Sequence, residues 1–225
     1  MKVLGLNASP RGKESKTLQL VSAVLEGAGS AGAETELINV YDLHIEYCIA
    51  CGACYATGDC TLFDDFPELF EKMMNADGIV LGSPNYIDSV TAALKAVFDR
   101  MADAIHCQMF TGKYGCSVCT AGGSNQDEIV KYMNHVLTSL GGTAVGGIGV
   151  AVGRDPGAIE KAKVSAFELG KKLAGSIRGE YTYPEQEAIH QQRRQYFCDL
   201  VRYNKAQWVH EYDWYVQMGW LKEGE

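Results

Sequence analysis

The chain has no excess of basic residues. Of its 225 residues, 20 are lysine or arginine and 28 are aspartate or glutamate, which gives a formal net charge of −8. A nucleic-acid-binding surface needs a basic face or a basic run, and the sequence contains neither. We therefore predict no nucleic-acid partner. A small anionic cofactor stays compatible with the composition, because it needs only a local positive pocket.

Long apolar runs are missing as well. The apolar segment that follows Met1 is too short for the hydrophobic region of a secretion signal, and no stretch approaches the roughly 18 apolar residues of a membrane helix. We therefore predict no membrane partner and a cytoplasmic location, where thiols stay reduced. The eight cysteines are then not expected to form a disulfide framework.

Short apolar runs alternate with segments of helical periodicity. The predicted strands are Val3–Leu6, Leu37–Val40, Gly78–Leu81, Gly115–Val118 and Val145–Val152. The predicted helices include Phe66–Asn75, Val90–Ile105, Asp127–Leu140 and a long helix that opens at Asp155-Pro156 and ends near Ile177. This alternation predicts an α/β fold with a doubly wound, five-stranded parallel sheet. Such sheets bind ligands beyond the carboxyl ends of their strands.

The loop from Asn7 to Thr17 joins the first strand to the first helix. It contains neither the G-x-G-x-x-G fingerprint of dinucleotide sites nor a Walker sequence. It does supply hydroxyl groups, the guanidinium of Arg11 and the free N–H groups of a helix start, which together suit a phosphate. A polar surface loop with a helix cap is the alternative interpretation.

Three segments together resemble one family. They are Ser9-Pro10-Arg11 with Ser15 and Thr17, then Ser83-Pro84-Asn85-Tyr86 with the following Leu94–Arg100 helix, and Thr120-Ala121-Gly122-Gly123. They resemble the NAD(P)H-dependent FMN reductase branch of the flavodoxin-like superfamily. The resemblance implies a flavodoxin-like FMN-binding domain over residues 1–180, with a cysteine-rich loop at 44–65. Residues 181–225, which hold all three tryptophans, form a predicted C-terminal helical extension.

The resemblance also implies roles for ten residues. Ser9, Arg11, Ser15 and Thr17 would hold the FMN phosphate. The flavin ring would be lined by Pro84, Asn85 and Tyr86 on one side and by Thr120, Gly122 and Gly123 along the other edge. Lys16 stands where relatives often carry asparagine, so it is left outside this set. No side chain is assigned a catalytic role, because the flavin performs the chemistry.

Four cysteines lie within thirteen residues, in the pattern C-x2-C-x2-C-x5-C: Cys48, Cys51, Cys54 and Cys60. Closely spaced thiolates in a tight turn can converge on one cubane, and small residues such as Gly52 leave room for it. The bacterial ferredoxin run differs in its last spacing and in its following proline. The pattern is similar to the compact motif of iron–sulfur flavoproteins, and this resemblance implies a [4Fe-4S] cluster beside FMN.

Three other interpretations of this loop stay open. Zinc can use four thiolates, although its structural sites usually separate two C-x2-C pairs by a long spacer. Two of the cysteines can form a redox-active dithiol. Finally, cluster-free FMN reductases also carry cysteines here, followed by an acidic pair such as Asp64-Asp65. The other four cysteines, Cys107, Cys116, Cys119 and Cys198, are expected to be small buried hydrophobic residues.

The predicted function is FMN-dependent oxidoreduction. One version is an enzyme in which NAD(P)H reduces FMN, which then reduces a small-molecule acceptor. Another is an electron carrier fed by a ferredoxin-type donor, and a third is an FMN-binding redox sensor. The resemblance implies a homodimer or homotetramer. The aromatic tail either packs on its own domain or reaches across a subunit interface, since Trp, Tyr and Arg are enriched at such places.

Overall fold

The computed structural model describes residues 1–153, 155, 157–222 and 224. Its sheet consists of β1 (Lys2–Asn7), β2 (Glu34–Asn39), β3 (Gly78–Pro84), β4 (Tyr114–Ala121) and β5 (Thr143–Ala151). All neighbouring strands are parallel, and their order across the sheet is β2-β1-β3-β4-β5. This is the flavodoxin-like strand order. The predicted fold class is therefore confirmed.

Helices cover both faces of the sheet. They are α1 (Lys16–Ser30), α2 (Ala53–Thr57), α3 (Phe66–Met74), α4 (Ala92–Asp99), α5 (Ala102–His106), α6 (Gln126–Ser139), α7 (Ala158–Ile177), α8 (Pro184–Asn204) and α9 (Val209–Gln217). One apolar core lies under α3, α4 and α6, and the other lies under α1 and α7. Because both faces are covered, the central strands β1, β3 and β4 consist almost entirely of buried residues.

Glycine allows α1 and α7 to cross at close range. A side chain built on Gly27 would place its Cβ 1.9 Å from the carbonyl oxygen of Phe167. In the same way, a Cβ on Gly170 would lie 1.9 Å from the carbonyl oxygen of Val24. These two helix-interior glycines are therefore explained by packing, since any larger residue would force the helices apart.

Two predicted helices have different bounds in the structure. The single helix predicted over 90–105 is divided into α4 and α5, and Arg100 lies at the break with its side chain turned toward Asp64. The long helix begins at Ala158, and its N-cap is Gly157 rather than the predicted Asp155. Asp155 Oδ1 accepts a hydrogen bond from the Gly157 N–H. Pro156, predicted at its first position, lies outside the described residues.

The tail packs on its own chain. Helix α9 lies across α5, where Trp214 Nε1 donates to the carbonyl oxygen of Cys107 at 2.8 Å and the Tyr215 hydroxyl donates to that of His106 at 2.9 Å. Tyr215 is fully buried in a separate aromatic cluster with Phe197. The domain boundary at residue 180 stays a prediction. Among the described residues, no helix has the length and apolar character needed to span a bilayer.

Candidate functional site

The loop between β1 and α1 presents a helix start at the carboxyl end of β1. Ser15 is the N-cap of α1, because its Oγ accepts a hydrogen bond from the Leu18 N–H at 3.0 Å. The positive φ of Gly12 (+51°) permits the tight turn before it. The first N–H groups of a helix have no carbonyl oxygen in a preceding turn to which they can donate. Together with the helix dipole, these free donors favour an anion at this end.

Three hydrogen bonds connect this loop and the loop after β3 to the end of β4 and the loop that follows it. Thr17 Oγ1 and Thr120 Oγ1 are 2.7 Å apart, and both side chains are buried. The Asn85 N–H donates to the carbonyl oxygen of Thr120 at 2.8 Å, and Asn85 Nδ2 donates to that of Ser124 at 2.9 Å. Asn85 Oδ1 is buried and has no hydrogen-bond partner among the described residues, so it is available to a ligand N–H group.

These three loops surround a cavity that opens to solvent. Of the ten residues predicted for FMN, eight line it: Ser9, Arg11, Thr17, Pro84, Asn85, Tyr86, Thr120 and Gly122. Ser15 is instead occupied in capping α1, and Gly123 lies just outside the lining. A Cβ added to either Gly122 or Gly123 would meet no atom within 4 Å, so these glycines border open space.

The lining includes residues that sequence reasoning set aside or missed. Lys16 lies in the cavity wall, together with Ala121 and Val152. Lys16 directly follows the capping residue Ser15. This position at the start of a helix is the feature of the sequence that could have placed Lys16 among the anion-binding residues. Among the described residues of the cavity wall, Arg11 and Lys16 carry the positive charge, and Lys16 lies at the helix start, which also favours an anion.

The four cysteines of the loop at 44–65 line a second cavity. Cys54 and Cys60 are half-buried, whereas Cys48 and Cys51 are exposed. The chain turns tightly between them, with positive φ angles at Ala50 (+52°) and Gly52 (+72°), and then forms the short helix α2. The structure thus gathers all four predicted metal ligands around one space.

The two central thiols differ electrostatically. Hydrogen bonds from the Ala53 N–H and the Thr61 hydroxyl lower the pKa of Cys51. Burial, and then the negative charges of Asp103 and Cys60, raise the pKa of Cys54 to about 11. A bound cation reverses the second effect, because a coordinating thiol is deprotonated by its metal.

The acidic pair Asp64-Asp65 closes the neck of this loop. Asp64 Oδ2 accepts a hydrogen bond from the Glu46 N–H, and Asp65 Oδ2 accepts one from the His44 N–H, each at 2.7 Å. Arg100 donates to both oxygens of Asp64 and to the carbonyl oxygen of Glu46. The acidic pair therefore has a structural explanation. Arg100, which the sequence analysis assigned no role, is the residue that completes it.

The sequence pattern of the NADPH-dependent FMN reductase family matches residues 1–157. The chain belongs to this family. Its membership confirms the predicted resemblance and, with it, an FMN-dependent oxidoreductase. The chain is 34% identical to an iron–sulfur flavoprotein of Archaeoglobus fulgidus over 197 residues, which cover 86% of this chain and 89% of the relative. It is also 34% identical to the iron–sulfur flavoprotein MJ1083 of Methanocaldococcus jannaschii, over 79% of this chain and 98% of that protein.

Solved structures agree on the fold of this FMN reductase family member. An NAD(P)H:quinone oxidoreductase from Methanothermobacter marburgensis superimposes with a TM-score of 0.62 at 22% identity, over 81% of this chain and 98% of that one. An archaeal flavodoxin superimposes with a TM-score of 0.54 at 17% identity, over 79% and 99%. At these identities the likeness concerns the fold alone.

Proposed function

We propose that the chain is an electron-transferring flavoprotein that holds FMN in the cavity between the loops after β1, β3 and β4, and a [4Fe-4S] cluster in its cysteine loop. The observation that carries the proposal is the common cavity of Cys48, Cys51, Cys54 and Cys60. Two relatives named iron–sulfur flavoproteins, similar over most of their length, support it.

The residues of the first cavity fit FMN. Arg11 and Lys16 offer positive charge to the phosphate, with the hydroxyl groups of Ser9 and Thr17 beside them. Ser15 contributes by fixing the start of α1. Asn85 Oδ1, buried without a partner among the described residues, suits a ring N–H.

The ring edge has its own fit. The open space over Gly122 and Gly123 suits a flat ring that approaches the backbone. Pro84 and Tyr86 close the opposite wall and Thr120 completes the edge. When bound, FMN accepts a hydride or two electrons and releases them singly or in pairs.

The residues of the second cavity fit an iron–sulfur cluster. Four thiolates and a cluster carry net negative charge, and Arg100 lines the same cavity. Its Nε is buried and has no hydrogen-bond partner among the described residues. Burial alone would lower the pKa of the guanidinium, but the hydrogen bonds to Asp64 and the negative charge of Cys60 outweigh burial and raise it. A buried N–H donor beside sulfur ligands is one of the features that set the potential of a bound cluster.

The identity of the physiological electron donor distinguishes two candidate functions, an NAD(P)H-dependent enzyme and an electron carrier or sensor. NAD(P)H as donor is supported by the family to which the chain belongs, with a small molecule as acceptor. A ferredoxin-type donor, or a role as a redox sensor, is favoured instead if the cluster is present and nicotinamides do not react. We place this activity in the cytoplasm and expect a homodimer or homotetramer.

Anaerobic purification followed by iron, sulfide and FMN analysis tests the proposal. We expect equal amounts of iron and acid-labile sulfide in the wild type. The Cys48→Ala variant should lose both while retaining FMN, and Cys116→Ala, which alters a buried core thiol, should lose neither. Wild-type protein that contains FMN but no sulfide would refute the cluster. Mixing with NADH, NADPH or a reduced ferredoxin then identifies the donor by the rate of flavin bleaching.

A further inference from the structure

A second group of metal-ligating side chains lies outside both cavities. Asp103 and Cys107 belong to α5 and the residue that follows it, and His210 belongs to α9. One ligand atom from each lies within 4.8 Å of the other two. From this geometry we propose that Asp103, Cys107 and His210 form a binding site for a divalent transition metal ion of the zinc class, separate from the four-cysteine loop.

The distances suit one ion between three ligands. Asp103 Oδ1 lies 3.8 Å from Cys107 Sγ, and Asp103 Oδ2 lies 3.5 Å from His210 Nε2. Ligand atoms held about 2.0–2.3 Å from a tetrahedral zinc ion are separated by distances of this order. Asp103 and Cys107 are four residues apart on one helical turn, where the Cys107 N–H donates to the Asp103 carbonyl oxygen at 2.8 Å, so their side chains share a face.

The histidine is held with its Nε2 toward this group. A Cβ built on Gly58 would lie 2.7 Å from Nδ1 and Cε1 of His210, so that edge of the ring packs against the cysteine loop. His210 Nε2 is inaccessible to solvent and has no hydrogen-bond partner of acceptable geometry among the described residues. A buried nitrogen that faces a carboxylate and a thiol without a good hydrogen bond is suited to a cation in their midst.

The chemistry of the ligands selects the kind of metal. A thiolate, an imidazole and a carboxylate match zinc and its neighbours, whereas magnesium and calcium prefer oxygen ligands throughout. Without a cation, burial and then the negative charges of Asp103 and Glu211 raise the pKa of the Cys107 thiol. The carboxylate charge of Asp103 also stabilises a bound divalent ion, whereas Glu211 is fully buried and paired with His106, whose Nδ1 lies 2.9 Å from its Oε1.

The proposed ion would join the tail to the body of the protein. Its ligands come from α5 and from α9, which the hydrogen bonds of Trp214 and Tyr215 already hold together. Because the ring of His210 packs on Gly58, the site also borders the cysteine loop. Metal binding should therefore stabilise the folded chain, by an amount that grows with the logarithm of the ratio of free metal concentration to Kd.

The alternative is an ordinary ion pair between protonated His210 and Asp103. The hydrogen-bonding attraction of Asp103 raises the pKa of His210 against the opposing effect of burial. In that case a proton occupies the position assigned here to the metal. The two interpretations differ in metal content, in the ligands that surround the metal, and in the response of stability to zinc.

The test uses the whole anaerobically purified protein, treated with a mild chelator and then titrated with zinc chloride. We expect the wild type to bind one zinc ion more per chain than His210→Gln and Cys107→Ala, and zinc to raise the unfolding temperature of the wild type but of neither of these two variants. His190→Gln and Cys116→Ala are the matched controls and should behave as the wild type. X-ray absorption at the zinc edge should find one sulfur among nitrogen and oxygen ligands.

Several results would overturn the site. One is equal zinc content in the wild type and in both site variants. Another is zinc surrounded by four sulfur atoms, which would place the metal in the cysteine loop. Absence of bound zinc from the titrated wild type is the third. If His210→Gln or Cys107→Ala fails to fold, the ligand count at the zinc edge of the wild type decides alone, because it needs no variant.

Discussion

Arg100 and Asp64 form an ion pair whose side chains are only 1% and 0% exposed, with Arg100 Nη1 2.6 Å from Asp64 Oδ2. The second guanidinium nitrogen donates to Asp64 Oδ1 at 3.2 Å, so the pair is bidentate. The ring of Phe66 lies 4.5 Å from the guanidinium carbon. This arrangement joins the break between α4 and α5 to the neck of the cysteine loop.

Removal of one charge from this pair should destabilise the protein strongly. Asp64→Asn leaves the buried guanidinium of Arg100 without a counter-charge, and breaking a buried pair in this way costs about 3 kcal/mol. Urea unfolding followed by circular dichroism measures the change. The matched control is Glu128→Gln, which breaks the exposed pair of Lys131 and Glu128 and should cost less than about 1 kcal/mol. Equal effects of the two variants would contradict a buried role for Asp64.

The same pair predicts a pH dependence. Burial alone would raise the pKa of Asp64, but the hydrogen bonds from Arg100 and from the Glu46 and Phe66 N–H groups outweigh it and lower the pKa. A carboxyl with a depressed pKa contributes stability above its unfolded value, about 3.9, and loses it as the pH falls through the folded value. The difference in unfolding free energy between the wild type and Asp64→Asn should therefore shrink below about pH 4. A constant difference down to pH 2 would contradict this assignment.

Periodicity in the sequence was sufficient for the sheet. Buried strands such as Gly78–Pro84 are short apolar runs, and their alternation with helical segments fixes a parallel arrangement. It was insufficient for the break after α4, because Val90 to Ile105 carries apolar residues at helical spacing throughout. The break coincides with the ion pair between Arg100 and Asp64, a contact across 36 residues that no local pattern contains.

The candidate sites show the same division. The loops around the proposed FMN cavity were identifiable because each follows a strand, and strand ends converge at one edge of the sheet. The group of Asp103, Cys107 and His210 was not identifiable, because His210 is more than a hundred residues away from the other two and meets them only where α9 packs on α5. The expectation that Cys107, Cys116, Cys119 and Cys198 are buried is confirmed.

A larger residue at Gly122 should block the flavin without unfolding the protein. A Cβ at this position meets no protein atom within 4 Å, so Gly122→Val projects into the cavity. We expect FMN affinity to fall at least about tenfold, equivalent to about 1.4 kcal/mol. The unfolding midpoint of the FMN-free protein should stay unchanged. FMN fluorescence quenching and thermal unfolding measure the two effects.

Gly153→Ala provides the opposite control. Its Cβ would lie 2.0 Å from the carbonyl oxygen of Gly122, so the FMN-free protein itself should be destabilised. The two variants thus distinguish a glycine that leaves space for a ligand, Gly122, from a glycine that the packing of the backbone requires, Gly153. If Gly122→Val lowered the unfolding midpoint of the FMN-free protein as much as Gly153→Ala, the open space at Gly122 would not be a ligand site.

Lys16 should recognise the phosphate and not the ring. It lines the proposed FMN cavity at the start of α1, whereas Lys13 lies in the exposed turn before it and is not part of the lining. Lys16→Gln removes a positive charge beside the proposed phosphate position, and we expect FMN to bind about tenfold more weakly, since charge-assisted hydrogen bonds contribute roughly 1.5–3 kcal/mol. Lys13→Gln should change the affinity little.

Riboflavin has the same ring and lacks the phosphate, so its affinity should be the same in both variants and the wild type. Titrations of each ligand at low and high salt complete the measurement, because the contribution of Lys16 should decrease as salt screens it. An equal loss for riboflavin and FMN in Lys16→Gln would show that Lys16 acts through the ring or the fold, and the phosphate would then have to be assigned to Arg11 and the helix start alone.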